Sequence, residues 1–256
     1  MTSALLRVEA GDGVATLTLD SPHNRNALST SLIHELSEAL SAAVADPAVR
    51  VIVLSHTGPV FCAGADLKET QAAFDGEGTL PVVPLADLLA ALWEAPKPIV
   101  ARVGGPARAG GIGLIAAADI VVCAEDATFA FSEVRLGVIP AVISVPVRRR
   151  ITARAAAELF LTGDVFGAAR AAEIGLVTRA TSDLDETVRN YCASLVKGAP
   201  AALAGARALL QDVTVRDELA RMADASDRYF RSAEGQEGIR AFREKRAPDW
   251  IPEPPQ

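Results

Sequence analysis

Residues 14–20, VATLTLD, alternate strictly. Ala15, Leu17 and Leu19 fall on one face and Val14, Thr16 and Thr18 on the other, which predicts a strand with unequal faces. Turn formers Pro22, Asn24 and Asn26 follow. The cluster Ser29-Thr30-Ser31 then offers a helix cap, and Leu32, Leu36, Leu40 and Ala43 recur at helical spacing. The apolar run Val51-Ile52-Val53-Leu54 predicts a buried strand, followed by a loop through Gly58 and Gly64 and a helix from about Leu67. Residues 99–103 repeat the theme, with Gly104, Gly105 and Pro106 leading to a helix that opens near Gly110. "DIVVC" and "ATFAF" read as short strands before a third helical region. Strands that alternate with helices need crossover connections, so the pattern predicts an α/β fold with a mainly parallel sheet, wound as one coil of repeated units.

The pattern changes after Arg148. From Ile151 onward the chain is rich in Ala, Leu, Arg and Glu, and only "GLVTR" (residues 175–179) reads as a strand. Residues 201–244 read as successive helices, with Pro200 as a start signal. The expected organisation is an α/β core over residues 1–195 and a helical C-terminal region over 196–256, with no flexible linker. The run Arg148-Arg149-Arg150 reads as a solvated or intersubunit face, and Trp93 and Trp250 as packing residues.

Composition narrows the function classes. Of 256 residues 50% are hydrophobic, enough for a sizeable core. A net charge of -7 argues against nucleic acid or an anionic membrane as partner, but leaves an anionic small molecule open, since that answers to local charge. Cys62, Cys123 and Cys192 are widely spaced and odd in number, which speaks against a disulfide framework and for a reducing compartment. His23, His34 and His56 stand alone, without metal-ligand spacing, so no metal is expected. The most apolar run, residues 110–118, is too short for a membrane span and ends at Asp119; the N-terminal residues lack a secretory pattern. The expectation is a soluble, cytoplasmic protein.

The loop Phe61-Cys62-Ala63-Gly64-Ala65-Asp66 carries the first candidate chemistry. Asp66 and Glu69 fit a capping box, which places the helix start and leaves the Ala65 N–H without an intrahelical partner. Ala109-Gly110-Gly111 does the same at the next helix. Two backbone N–H groups from two loops can converge on one oxygen, as an oxyanion hole requires; losing one such donor costs about 3 kcal/mol of transition-state stabilisation. The helix behind Gly110 adds favourable potential for negative charge. Small residues of this kind also serve plain close packing of a helix on a sheet, and for either loop alone that is the commoner use. Neither loop has the GxxxxGK[ST] pattern of a nucleotide-phosphate cradle.

"FCAGADL", "ARAGGIGLIAAADIVV" and "FSEVRLGVIPA" occur in this order, and together they resemble the crotonase (enoyl-CoA hydratase/isomerase) superfamily over nearly the whole chain. "SEVRLGVIPAVIS" with "SAEGQEGIRAFREKRAPDW" is most similar to bacterial methylglutaconyl-CoA hydratases. The resemblance implies a spiral of β-β-α units with a helical trimerisation region, a homotrimer or homohexamer, and an acyl-CoA thioester substrate. Coenzyme A would then be part of the substrate, with no separate cofactor. It assigns the thioester oxygen to the N–H groups of Ala65 and Gly110. It makes Glu133 the acid/base at Cα, although by its local sequence Glu133 reads as a solvated residue pairing with Arg135 or capping a turn. An apolar strand running into a turn is also a setting that raises a carboxyl pKa toward the working range.

Family position further implies that Arg25, Ala27, Ala63, Asp66 and Leu67 line the nucleotide end of CoA, and that Phe242 and Lys245 reach a neighbouring subunit's CoA. Basic residues also favour helix C-termini, which is an equally good local reason for Lys245. The acyl pocket would draw on the surroundings of Ala73, Leu85 and Val142. Gly113 stands where the best-known hydratases carry a second glutamate; it is expected to border the substrate and to leave room for water, or for a substrate carboxylate with Arg108 or Arg135 as counter-ion. Hydration by Glu133 of an enoyl-CoA with a branched or carboxylated, methylglutaconyl-type acyl chain is the leading expectation, with Δ3,Δ2-enoyl-CoA isomerisation and non-catalytic CoA-ester binding as alternatives.

Overall fold

The computed structural model describes residues 4–75, 80–211 and 214–252. The chain opens with a hairpin of β1 (Leu6–Gly11) and β2 (Val14–Leu19). Helix α1 (Thr30–Ala45) leads to β3 (Val51–His56), then to α2 (Leu67–Phe74) and α3 (Val82–Glu94). Each of the next two turns contributes one strand to each of two sheets. β4 (Ile99–Val103) and β5 (Ala107–Arg108) precede α4 (Gly110–Ala117). β6 (Ile120–Ala124) and β7 (Thr128–Ala130) precede a 3₁₀ turn, Ser132–Leu136, and α5 (Ala141–Val147). α6 (Ala153–Thr162), β8 (Phe166–Gly167), α7 (Ala168–Glu173), β9 (Arg179–Thr181) and α8 (Leu184–Leu195) complete the coil. Helices α9 (Pro200–Leu209), α10 (Val215–Phe230) and α11 (Ala233–Glu244) close the chain.

The larger sheet runs β1-β2-β3-β4-β6-β9 and is parallel from β2 onward; the smaller runs β5-β7-β8. This is the mainly parallel coil that the alternating pattern predicts. β3 is buried throughout because both its faces are covered: Val51 and Val53 pack with Val100, Val122 and the Leu184 and Val188 face of α8, while Ile52 and Leu54 point into the main core. The Ser29 hydroxyl caps α1 by accepting from the Leu32 N–H at 3.2 Å, and Leu32, Leu36, Leu40 and Ala43 are buried, as their spacing requires. Every residue of α4 is buried, and the helix packs between α3 and α5.

The C-terminal helices share this core. Val215, Leu219 and Ala223 of α10 join the main apolar cluster, and α10 packs on both α3 and α5. The Arg207 guanidinium of α9 is buried, paired with Asp119 at 2.7 Å, and donates to the carbonyls of Leu92, Trp93 and Ala95 at the end of α3. A buried cation so fully hydrogen-bonded ties α9 to the core, and removing either partner would leave an uncompensated charge.

Three sequence expectations need correction. "GLVTR" is mostly a turn, and the strand starts at its last residue, Arg179, because Leu176 and Val177 fold back on α7 through the Ala171 carbonyl. Of the arginine run only Arg148 is exposed: Arg150 stacks on Trp93 at 4.7 Å and donates to the carbonyls of Ala116 and Ala118, and Arg149 pairs with Glu218 at 2.7 Å. The box at α2 is half made. Asp66 caps the helix, but Glu69 reaches across to the Thr30 N–H and hydroxyl instead of the Asp66 N–H, which donates to the Leu28 carbonyl.

Candidate active site

The two small-residue loops lie side by side because their backbones hydrogen-bond to each other. Phe61 N–H donates to the Pro106 carbonyl at 3.0 Å and Arg108 N–H to the Cys62 carbonyl at 3.0 Å, a short parallel ladder. The second edge of residues 61–66 is held by Leu28 N–H to the Gly64 carbonyl (2.7 Å) and Ala63 N–H to the Arg25 carbonyl (3.0 Å). The buried Asn26 amide steadies this corner by donating to the Thr57 and Val60 carbonyls and accepting from the Ser21 N–H. Gly64 sits at φ 94°, and a Cβ there would come within 2.9 Å of the Ala109 methyl. Close packing and exposed N–H groups are therefore one device: the glycine lets the loops touch, and their contact sets the peptides between them.

Ala109 holds φ 44° and ψ -120°, a region that ordinarily belongs to glycine at the first corner of a type II′ turn. Such a conformation costs on the order of 1–3 kcal/mol and persists only where the surroundings over-determine it. It turns the following peptide so that the Gly110 N–H opens α4. Neither this N–H nor that of Ala65 donates to an acceptor among the described residues, and both residues border one cavity.

Glu133 borders the same cavity. It lies in the 3₁₀ turn Ser132–Leu136, anchored from behind by Phe131, whose ring packs edge-on against Phe160 at 4.7 Å, and flanked by α11. The side chain is 8% exposed, and its Oε2 is buried without a hydrogen-bond partner. Burial pushes its carboxyl pKa up from 4.5 to about 7, so near neutrality both protonation states are populated. Among the cavity-lining residues it is the one that titrates. Arg135 points away, donating to the Thr162 carbonyl and pairing with Asp164.

The remaining walls are apolar: Leu28, Ile33, Leu85, Val142, Ile143 and Phe230 enclose a space of about 80 Å³, with Thr70 and Ser226 as further polar side chains. Leu85 and Val142 are where the sequence expectation put them; Ala73 is buried but does not border the cavity. Gly113 departs from expectation. It does not border the cavity, because Ile143 fills the space beside it: a Cβ on Gly113 would meet Ile143 Cγ2 at 2.8 Å and Leu89 Cδ1 at 3.2 Å. Arg108 is likewise no counter-ion in the cavity, since it donates to the carbonyls of Ala107 and Thr128 and to the Thr128 hydroxyl.

Arg25, Ala27, Ala63, Asp66 and Leu67 cluster at the outer end of the loops. Ala27 is buried beneath them, and Asp66 is committed to capping α2 and to Asn24. The Arg25 side chain is exposed, without a hydrogen-bond or ion-pair partner among the described residues, and so are Lys68 and Lys245. Phe242, on α11, is 57% exposed. Sequence reasoning missed Leu28, Ile143, Ser226 and Phe230. The "NALS" around Leu28 offered a signal through its place beside Arg25, and Ile143 adjoins Val142 in "SEVRLGVIPAVIS"; Ser226 and Phe230 carry no local signal. Among the described residues, no three His, Cys, Asp or Glu side chains converge as a metal site would need, and no helix is long and apolar enough to cross a membrane.

With this geometry in view, the chain compares with known proteins as follows. The family model described as enoyl-CoA hydratase/isomerase matches residues 9–253. A crystal structure of an enoyl-CoA hydratase from Mycobacterium avium superimposes with a TM-score of 0.87 at 43% identity, covering 98% of this chain and all of that one (100%). The enoyl-CoA hydratase domain-containing protein 3 of Danio rerio, a mitochondrial protein by its name, is 32% identical over 97% of this chain and 88% of its own. The enoyl-CoA isomerase/hydratase of Mycosarcoma maydis is also 32% identical, over 92% of each chain.

Proposed function

The chain belongs to the enoyl-CoA hydratase/isomerase family, and on that premise we propose that it hydrates the 2,3 double bond of a short, apolar 2-enoyl-CoA thioester. The observation that carries this reading is the unpartnered Glu133 Oε2 in the cavity bordered by the two unpaired N–H groups of Ala65 and Gly110. The Glu133 carboxylate accepts a proton from water as the water oxygen bonds to Cβ. The π electrons move to the thioester oxygen, where the two N–H groups hold the enolate, and Glu133 then returns the proton to Cα. One carboxylate thus serves both half-reactions, and coenzyme A enters as part of the substrate with no further cofactor.

The walls favour an apolar acyl group. No cationic side chain borders the cavity among the described residues, so a methylglutaconyl carboxylate would meet no counter-ion there, and would face Glu133 as a like charge. Arg25, Lys68 and Lys245, exposed and unpaired among the described residues, suit the phosphates of CoA, and the exposed Phe242 suits its adenine. The test is spectrophotometric. Loss of the conjugated enoyl absorbance of crotonyl-CoA is expected, with kcat/KM at least tenfold above that for methylglutaconyl-CoA. No loss with any 2-enoyl-CoA, by protein that binds them, would sink hydration.

Isomerisation of a 3-enoyl-CoA is the second reading, favoured by the fact that Glu133 alone titrates among the lining residues, since carrying one proton between carbons needs one carboxylate. Appearance of conjugated absorbance from 3-hexenoyl-CoA would select it. We also infer a homotrimer or homohexamer, supported by Leu209 and Leu210 at the C-terminal end of α9, which are 87% and 79% exposed. Light scattering should give three or six times the chain mass of 26.7 kDa, and a monomer at micromolar concentration would refute it.

A further inference from the structure

Hydration places a demand on the cavity that Glu133 alone does not meet. A water with a single hydrogen bond can rotate and offers its lone pair to Cβ only part of the time, so an efficient site grips it twice. The usual second grip, a carboxylate in place of Gly113, has no space here because Ile143 occupies it. Another polar group bordering the cavity must therefore supply it, and two side chains besides Glu133 qualify by chemistry, Thr70 and Ser226. The Thr70 hydroxyl donates to the Asp66 carbonyl at 2.8 Å, one turn back in its own helix.

Ser226 behaves differently. A serine inside a helix ordinarily turns its hydroxyl back onto the preceding turn. Ser37 does so to Ile33, Ser41 to Ser37, Ser194 to Asn190 and Ser144 to Ala141, at 2.6–3.0 Å. Ser226, in the last half of α10, makes no such bond and has no other partner among the described residues, although it is only 6% exposed. A hydroxyl without a protein partner, on a residue only 6% exposed that borders an otherwise apolar cavity, is poised for a group inside that cavity. α10 is well placed to hold it, because Leu219 and Ala223 lock the same helix into the core beside α3 and α5.

Resting on the hydratase reading above, we propose that the Ser226 hydroxyl is the second group that holds the attacking water, standing in for the missing carboxylate. Glu133 accepts one O–H of the water, and the Ser226 O–H, which no protein group uses, donates to one lone pair of the water oxygen, which leaves the other lone pair for Cβ. The proton released on attack goes to Glu133 alone, so Ser226 needs no change of protonation state, and its ordinary hydroxyl suffices.

The experiment uses the full chain and the variant Ser226→Ala, with crotonyl-CoA as substrate and butanoyl-CoA as an unreactive binding probe. The expected result is a kcat for hydration at least tenfold lower, with the Kd for butanoyl-CoA and the Tm both within error of the unmodified protein. A kcat within twofold of the unmodified protein would overturn the proposal, and so would a loss of kcat accompanied by parallel losses of affinity and Tm, which marks a packing role. Failure of the underlying reading looks different: the unmodified protein itself would then not hydrate crotonyl-CoA. A second variant, Thr70→Val, tests the assignment between the two hydroxyls. It should leave the Ser226 effect intact, and a larger loss of kcat for Thr70→Val at unchanged affinity would transfer the role to Thr70.

Discussion

Glu133→Gln is expected to lower kcat by a hundredfold or more while leaving acyl-CoA affinity within a few-fold of the unmodified protein. General acid–base catalysis contributes on the order of 10²–10⁴ in rate, and Glu133 is the titrating side chain in the cavity, so nothing nearby can substitute. The amide keeps the shape and removes the proton carrier. The same substitution should raise stability in a pH-dependent way. The folded pKa is about 7 against 4.5 for an ordinary glutamate, so the folded state binds the proton more tightly than the unfolded one. The carboxyl therefore costs nothing extra below pH 4.5, becomes destabilising as pH rises toward 7, and reaches its full cost, roughly 3 kcal/mol, above that. The Tm advantage of Glu133→Gln should grow over that window and then level. In the unmodified enzyme kcat/KM should rise with pH to a plateau above about 7, since the carboxylate is the form that accepts the proton from water. Wild-type turnover by Glu133→Gln would refute the mechanism.

Gly113→Glu is expected to damage the fold and to leave hydration unimproved. By family position this change restores a second carboxylate, and on sequence grounds alone it could be expected to accelerate hydration. The packing says otherwise. Its Cβ would lie 2.8 Å from Ile143 Cγ2, and Ile143 is itself 4% exposed and β-branched, with little freedom to move aside. Overpacking of this kind costs about 1–3 kcal/mol, and an unpaired carboxylate among Ile143 and Leu89 costs several more. A total of about 4 kcal/mol or more corresponds to a fall in Tm on the order of 10 °C for a chain of this size. Ile143→Ala removes the contacted methyl, so the double variant should regain part of the lost Tm; thermal melts of the single and double variants measure both effects. A Gly113→Glu protein with unchanged Tm and faster hydration would show that Ile143 yields readily, and would reopen Gly113 as part of the substrate site.

These two positions mark where sequence reasoning holds and where it stops. Ala15, Leu17 and Leu19 announce their strand face, and Ser29 with Leu32, Leu36 and Leu40 announces α1 and its buried side, because side-chain period and capping act within a window of a few residues. The bare N–H groups of Ala65 and Gly110 were legible for the same reason, as each follows from where its own helix begins. Glu133 was legible as a motif, but its poised carboxyl was not: the pKa near 7 comes from burial contributed by chain segments far from it in sequence. Only the ladder between residues 61–62 and 106–108 brings the two N–H groups to one cavity, and only tertiary packing puts Ile143 into the space beside Gly113. Arg149 and Arg150 show the limit most simply. Three adjacent arginines look solvated in sequence, yet Trp93 and the carbonyls of Ala116 and Ala118 absorb Arg150 once α4 and α3 are in place. Local periodicity is set by covalent geometry and by nearest-neighbour hydrogen bonds, and so can be read from the chain. The contents of a cavity are set by which distant side chains the sheet register brings opposite one another, and only the folded chain decides that.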